Sequence, residues 1–373
     1  MSDADRLARV ALSRLTEPGE PRIAALVAQL GAVALLEALS DPAQASEEAR
    51  DVASRLRDLD AEADLAHGAR LGLRYVVPGD AEWPTQVDDL MRSEVLQHRG
   101  GPPLGLWVKG PTRLDQLGRA VAEREPTTYG TEIAAAIAAT LVRAGHPVVS
   151  GAAFGIDQAA HRGALGVDGS DIAVLACGAD RAYPTAHRDL LDHLGRTSAV
   201  IAEVSPGCAP TRGRFLSRNR LIAALTCGTV VVEAASRSGA LNTAGWATRL
   251  NRHLMGVPGP VTSAQSQGVH ELIRSGAATL VTHGEHVLEV VGDVGTHLTT
   301  PPRAPAKPRD KLPPRDARVL DAVPFASPAP VVSIATTAGL ALLDVQSALR
   351  RLDRDGLVEL SSEGWRLTPA AND

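Results

Sequence analysis

The chain has 373 residues, of which 44% are hydrophobic and only 3% are aromatic, and its formal net charge is −5. That length allows two or three domains, each with a core built mainly from aliphatic side chains. The acidic balance excludes a generally basic nucleic-acid coat, so any nucleic-acid binding would depend on a local basic patch.

The cysteines and the N-terminus indicate the compartment. Cys177, Cys208 and Cys227 have no metal-binding spacing, and an odd, sparse count favours a reducing compartment over a disulfide framework. The N-terminus has helical spacing without a signal-peptide core, and no run of residues reaches transmembrane length. We therefore expect a cytoplasmic protein without a membrane partner.

The first part of the chain is helical in pattern. Residues 4–66 carry apolar side chains at helical spacing, interrupted by Gly and Pro breaks, with one predicted helix running from residue 41 toward residue 59. This pattern predicts a small helical domain of SAM or helix-hairpin-helix type at residues 1–68. A plain helical cap on the following domain stays open as an alternative.

Residues 69–293 alternate short β-branched runs with helical stretches, which is typical of a doubly wound α/β sheet. Strands are predicted at 73–77, 102–110, 119–122, 147–150, 172–176, 199–203, 229–233, 253–257 and 278–281. The clearest crossover helices are at 131–145 and 155–165. Right-handed crossovers bring the loops after the parallel strands to one edge of the sheet, where ligands bind.

Three of those loops are rich in small residues. They lie at residues 150–157, 177–184 and 236–239. A Gly-rich or Ser-rich turn at a helix start directs backbone N–H groups outward, so the three loops together predict an anion-accepting rim. For any one loop alone, simple backbone geometry is the favoured explanation.

The most basic stretch is residues 212–220, which contains four arginines and one phenylalanine and no acid. We interpret it as a basic loop before a helix at 221–225, suited to tracking a nucleic-acid backbone while the aromatic ring stacks on a base. Surface ion pairing is the alternative, and single surface pairs contribute little.

The end of the chain has a linker and a small domain. Residues 294–315 are Pro-rich and positively charged, which indicates a semi-rigid linker. Residues 316–373 show three helices and a hairpin, the layout of a winged helix. Its third helix could bind duplex DNA, but the acids among its arginines favour a protein-docking role.

Five blocks of sequence then resemble the DNA-processing protein A family (DprA, also called Smf). They are SGAAFGIDQAAHRGAL (Ser150–Leu165), DIAVLACGADRAYPTAH (Asp171–His187), RFLSRNRLIAAL (Arg214–Leu225), VVVEAASRSGALNTA (Val230–Ala244) and GVPGPVTSAQSQGVHELIRSGAATLV (Gly256–Val281). The resemblance implies an extended Rossmann-like domain that forms a homodimer, binds single-stranded DNA and protects incoming DNA. It also implies loading of the RecA recombinase during natural transformation, with no catalytic activity, cofactor or metal.

The resemblance also implies the DNA-binding residues. They are Arg124, Ser150, Gly151, Gly155, Arg212, Arg214, Phe215, Arg218, Asn219, Arg220, Ser238 and Gly239. Phe215 is expected to stack on a base. The triplet of residues 218–220 is expected to fix the loop and to reach phosphate, after a basic approach formed by Arg212 and Arg214. The glycines and serines form helix-start turns, the first of which also includes Asp157.

Two departures from the family pattern lie on one side of this rim. Residues 120–130 keep a Tyr-Gly but lack the usual Gly-Ser turn, and Arg124, the candidate DNA-contacting arginine, stands between Glu123 and Glu125. Phe154 stands where the family usually has arginine. These changes predict weaker DNA binding or a misformed first strand of the parallel sheet.

Two other functions stay open. One is a nucleotide-processing enzyme related to phosphoribohydrolases, although the Pro-Gly-Gly-x-Gly-Thr motif of those enzymes is absent. The other is a degenerate family member that keeps only dimerisation or partner docking.

Overall fold

The computed structural model describes residues 2–40, 59–124, 128–167, 169–299 and 307–371. The chain divides into two compact units, Met1–Thr299 and Thr300–Asp373. The predicted N-terminal helical segment and the predicted sheet domain therefore lie together in the larger unit.

Four helices open the larger unit. They are α1 (Asp3–Leu15), α2 (Pro21–Leu30), α3 (Ala32–Ser40) and α4 (Ala61–Arg70). Ser2 caps α1, and Gly31, at a φ of +83°, ends α2. Leu12 of α1 packs with Leu35 of α3 in a small apolar cluster. The helix predicted from residue 41 toward residue 59 falls mainly outside the described residues.

The described part of this unit contains a nine-stranded sheet in the order β1-β2-β6-β5-β4-β3-β7-β8-β9. Its strands are β1 (Leu73–Val76), β2 (Leu106–Lys109), β3 (Val121–Arg124), β4 (Val148–Ser150), β5 (Asp171–Leu175), β6 (Ala199–Ala202), β7 (Gly228–Val231), β8 (His253–Gly256) and β9 (Thr279–Leu280). Strands β3 to β9 are parallel to one another, and β1 and β2 add an antiparallel edge beside β6. Each predicted strand is found, although most are shorter than predicted.

Helices cover both faces of the sheet. They are α5 (Thr128–Arg143), α6 (Ile156–Leu165), α7 (Arg188–Thr197), α8 (Arg212–Ala224), α9 (Gly239–Arg249), α10 (Gln267–Arg274) and α11 (Gly284–Val291). Ile137 and Leu141 of α5 pack in one core with Val148. Residues 221–225 and Trp246 pack in another core against alternate strand residues. Burial of the central parallel strands on both faces explains their nearly continuous apolar sequence.

The strand order reverses at β3. This strand pairs with β4 on one side and with β7 on the other, over all four of its residues on the β7 side. The alternative that the first parallel strand is misformed is therefore wrong for residues 121–124, because these residues pair with two parallel neighbours. A reversal point of this kind opens a crevice beyond the carboxyl ends of the strands.

The smaller unit follows the predicted order of three helices and a hairpin. It contains α12 (Pro314–Ala322), α13 (Val331–Ala338), α14 (Leu342–Arg354), β10 (Val358–Ser361) and β11 (Gly364–Leu367). The two strands are antiparallel. Its core includes Val319, Leu349, Leu352 and Trp365.

Across the described residues, no single helix combines the length and apolarity needed to cross a membrane. Two sharply bent helix pairs, α2 with α3 and α13 with α14, pass that test only when each pair is taken together.

Candidate functional site

The arginine-rich segment forms a helix. Residues 212–220 belong to α8, and the Thr211 hydroxyl caps its first turn by accepting a hydrogen bond from the Arg214 N–H at 3.2 Å. The expectation of a basic loop is therefore wrong. Because side chains around a helix point in different directions, the four arginines have different surroundings. Arg212 is exposed and has no ion-pair partner among the described residues.

Arg220 is fully buried. Its two terminal nitrogens each donate to a carboxylate oxygen of Glu203 at 2.6 Å, and its Nε donates to the Gly101 carbonyl at 3.0 Å. The expectation that Arg220 reaches phosphate is therefore corrected: its guanidinium is enclosed and engaged. A bidentate pair of this kind fixes geometry inside the protein.

Arg214 is also paired with an acid distant in sequence. Its Nε and Nη2 donate to the carboxylate of Glu17 at 3.0 and 2.8 Å, and its Nη1 donates to the Ala209 carbonyl at 2.7 Å. The absence of acids within residues 212–220 therefore overstated the positive charge available to a ligand.

Arg218 supports the candidate stacking residue from inside. It is buried, its Nη1 donates to the Val174 carbonyl at 2.8 Å, and its Cζ lies 5.7 Å from the centre of the Phe215 ring. A Cβ atom on Gly151 would lie only 1.5 Å from this Nη1. Position 151 therefore requires a glycine, because the guanidinium of Arg218 packs directly against its backbone. This contact connects the turn after β4 to α8.

Replacing Gly151 with alanine should displace Arg218 from its buried position. We expect the free energy of unfolding to fall by about 1–3 kcal/mol, the cost of leaving buried polar groups unsatisfied, and Phe215 to lose its support. Urea unfolding measures the first effect. Gly118→Ala is the matched control, because a Cβ there meets no atom within 4 Å. Equal stability of the two variants would contradict this role for Gly151.

Asn219 joins α8 to the third small-residue turn. Its Nδ2 donates to the Asn242 side-chain oxygen at 3.2 Å and to the Gly239 carbonyl at 3.4 Å. Gly239 is the first residue of α9, and Ser238 holds the N-cap position before it. The structure therefore brings the predicted 218–220 triplet and the Ser238–Gly239 turn together.

The turn after β4 already contains an anion of its own. One carboxylate oxygen of Asp157 accepts the backbone N–H groups of Gly151 and Ala153, both at 3.1 Å. Gly155 has a φ of +95° and precedes α6, and Ser150 is buried at the end of β4. These two N–H groups are therefore not available to bind an external anion, contrary to the expectation from the sequence. Their hydrogen bonds to Asp157 instead fix the conformation of the loop.

Arg124 ends β3 opposite Val231 of β7. Its backbone therefore lies at the same edge as the other predicted residues. The prediction that its side chain contacts DNA stays a prediction. Glu125, one of the two flanking acids, lies outside the described residues.

Sequence reasoning assigned no binding role to the other aromatic side chains at this edge. The chain has three Phe and three Tyr residues, and four of these six lie near the carboxyl ends of the strands: Tyr129, Phe154, Tyr183 and Phe215. The ring of Tyr183 is 46% exposed and lies 5.7 Å from the ring of Phe215. Phe154 is exposed and packs edge-on against His187 at 4.8 Å. The usable signal was the scarcity of aromatic residues and their position between a strand and the next helix or in the first turn of that helix.

This edge presents aromatic rings and a few cations. Among the described residues, no group of three or more His, Cys, Asp or Glu side chains is placed to hold a metal ion. Burial raises the pKa of the Cys177 thiol to about 11, so this thiol stays protonated near neutral pH. Half-buried aromatic rings beside arginine are suited to stacking on unpaired bases.

The fold and this edge define a Rossmann-like α/β protein with aromatic and arginine side chains at the carboxyl ends of its parallel strands. The family model for DNA recombination-mediator protein A matches residues 74–292, and the chain belongs to this family. The resemblance predicted from the five sequence blocks is thereby confirmed.

Known relatives cover most of the chain. A DNA processing protein DprA of Mycobacterium tuberculosis (strain H37Rv) is 40% identical over 377 aligned residues, covering 99% of this chain and 96% of the relative. The solved structure of DNA processing protein A from Streptococcus pneumoniae has a TM-score of 0.62 at 29% identity, covering 77% of this chain and 97% of that one. The Helicobacter pylori protein, whose structure concerns its single-stranded DNA binding mode, has a TM-score of 0.51 at 26% identity, covering 58% and 95%.

Proposed function

We propose that this protein binds single-stranded DNA, protects incoming strands and loads the RecA recombinase on them during natural transformation or recombination. It does so in the cytoplasm without catalysing a reaction. The observation that carries the proposal is Phe215, half-exposed between Arg218 and Tyr183 at the strand-end edge. The single-stranded DNA binding mode described for the Helicobacter pylori relative supports it.

The rim favours stacking over phosphate contact. Arg214 and Arg220 are neutralised by Glu17 and Glu203, and Arg218 is buried against backbone. Arg212 is the member of the cluster that is free to meet a phosphate. Base stacking tolerates any sequence, because each base has an aromatic face. The affinity is therefore expected to depend less on salt than four arginines would suggest.

Phe215→Ala should weaken binding of oligo-dT by about 1–3 kcal/mol at every salt concentration, because stacking is not an ionic contact. Arg212→Ala should instead flatten the salt dependence, by a slope of roughly 0.7 for one lost phosphate contact. Fluorescence anisotropy with a labelled oligonucleotide at low and moderate salt measures both effects.

The control for charge is Arg274→Ala, which removes an exposed arginine paired with Glu271 on α10. It should leave binding unchanged. Wild-type affinity in the Phe215→Ala variant would rule out the stacking role, and a folded wild-type protein without affinity at low salt would rule out the function itself. The alternative of a degenerate family member was motivated by the missing Gly-Ser turn after β3; the strand itself is formed, and residues 125–127 of the turn lie outside the described residues.

The proposal extends to assembly and to the flanking segments. We assign residues 1–68 to a SAM or helix-hairpin-helix-like module, residues 69–293 to the extended Rossmann-like DNA-binding domain and residues 294–315 to a linker. Residues 316–373 then form a winged helix that docks a partner rather than duplex DNA. A homodimer through the sheet domain completes the proposal, and sedimentation velocity of the full chain tests it: a monomer at micromolar concentration would reject it.

A further inference from the structure

We infer that Phe154 is a second base-stacking surface for single-stranded DNA, separate from Phe215. This inference rests on the proposed function. Phe154 is 61% exposed, more than any other aromatic residue among the described residues of the larger unit. In a chain with few aromatic residues, such exposure on a strand-to-helix turn needs an explanation.

The ring of Phe154 is held rather than free to swing. The loop behind it is pinned by Asp157, which accepts the N–H groups of Gly151 and Ala153. Buried His187 contacts the ring edge-on at 4.8 Å, and its Nδ1 lies 2.9 Å from the Ala152 carbonyl. Ala152 has a φ of +52°, a left-handed conformation uncommon for alanine. A surface fixed in advance loses little conformational freedom when a ligand binds.

Two bridges connect Phe154 to Phe215. The first runs through Gly151, three residues before Phe154, whose backbone lies against the Arg218 guanidinium that underlies the Phe215 ring. The second runs through His187, because Tyr183 lies four residues before it and its ring is 5.7 Å from Phe215. The turn that carries Phe154 is therefore in direct contact with the segments that carry Tyr183 and Phe215.

The character of that surface favours a nucleic acid over a protein partner. Beside Tyr183 lies an open groove of about 420 Å³, whose lining includes Arg181, Arg188 and Thr185 and also two acids. Of these acids, Asp180 accepts a hydrogen bond from the Gly207 N–H, and Asp192 pairs with Lys109 at 3.6 Å. Thr185 and Arg188 flank the His187 that holds Phe154. Separate rings between polar and charged groups, with both arginines near Tyr183, match the requirements of an unpaired strand, whereas protein interfaces favour a contiguous apolar patch. Where the family usually has arginine, this chain places an aromatic surface.

The test uses the full-length chain and labelled oligo-dT in anisotropy titrations at low and moderate salt. Phe154→Ala should weaken binding about tenfold, within the range for one stacked base, without changing the salt slope. Phe154→Leu, which keeps apolar area but lacks an aromatic face, should also bind weakly. Phe154→Trp should keep its affinity.

Phe154→Trp also supplies a direct signal. The four native tryptophans, Trp83, Trp107, Trp246 and Trp365, are all buried, so the new indole would be the accessible one. Unlabelled oligo-dT should quench its fluorescence, whereas an abasic oligonucleotide of equal length should not. Equal quenching by both would overturn the stacking assignment, because it would report backbone proximity alone.

Phe325→Ala is the matched control, since Phe325 is 65% exposed but belongs to the smaller unit. It should bind like the wild type. Wild-type affinity in Phe154→Ala, together with weak binding by Phe215→Ala, would overturn this inference and leave the proposed function intact. A changed sedimentation coefficient in Phe154→Ala with unchanged affinity would overturn it in favour of self-association. A folded wild-type protein that fails to bind would overturn both proposals.

Discussion

Arg220→Ala is expected to lower the free energy of unfolding by about 3–5 kcal/mol, because it leaves a buried carboxylate without its counter-ion. The Arg220 side chain is fully enclosed, and that of Glu203 is only 12% exposed. The two form two hydrogen bonds of 2.6 Å. Urea unfolding of the wild type and the variant, followed by circular dichroism, measures the loss.

The control for Arg220→Ala is Arg274→Ala, whose exposed pair with Glu271 should be worth at most about 1 kcal/mol. A second check is the Arg220→Ala, Glu203→Ala double variant. It should be less destabilised than the sum of the two single variants, because the unpaired charge is gone. If Arg220→Ala were as stable as the wild type and its DNA affinity depended less on salt, the result would contradict this structural role. It would instead support a direct contact between Arg220 and phosphate.

Asp171→Asn should also destabilise the protein by about 3–5 kcal/mol, because it breaks a buried pair. The carboxylate oxygens of Asp171 lie 2.7 and 2.8 Å from Nδ1 of His161, and both side chains are fully buried. Burial alone would lower the pKa of His161, but the charge and the hydrogen bond of Asp171 outweigh it, so the pKa is raised.

The raised pKa of His161 fixes the sign of a pH effect. Its stabilising contribution is fully present below the unfolded pKa of about 6.5 and is lost as pH rises through the higher folded pKa. The free energy of unfolding of the wild type should therefore fall between about pH 6 and about pH 8. This pH range lies below the ordinary pKa of a cysteine thiol, which is near 8.5. Asp171→Asn should reduce that fall.

Unfolding in urea at the two pH values measures the effect of Asp171→Asn. Asp293→Asn is the control, since it removes an exposed carboxylate paired with Arg119 and should change little. Equal wild-type stability at both pH values would mean that His161 gains no proton on folding.

The sheet could be predicted because its signal is local. Short apolar, β-branched runs indicate strands that are buried on both faces, as in the Thr-Val-Val run of β7 and the apolar run of β5. The start of α8 could not be predicted in this way. Its first two turns carry arginines rather than an apolar stripe, and Gly213 weakens the helical pattern. The partners that bury those arginines come from distant parts of the chain.

The candidate site was predicted in outline. Phe215 and the small-residue turns were located by their sequence blocks, and the structure places them at one edge. The pairing of Arg220 with Glu203 and the capture of two loop N–H groups by Asp157 are tertiary contacts without a local pattern. The same holds for Tyr183, whose position beside Phe215 depends on how two loops meet.

The turn between α1 and α2 reaches across to α8. Glu17 holds Arg214, the Pro18 carbonyl accepts a hydrogen bond from the Ser217 hydroxyl at 2.7 Å, and Gly19 lies against the Arg220 guanidinium. A chain shortened at its N-terminus past this turn would therefore lose the contacts that position α8, although it would keep every aromatic ring of the rim. Weak DNA binding by such a truncated protein would report a loosened scaffold, and full-length point variants are the sound way to locate its DNA contacts.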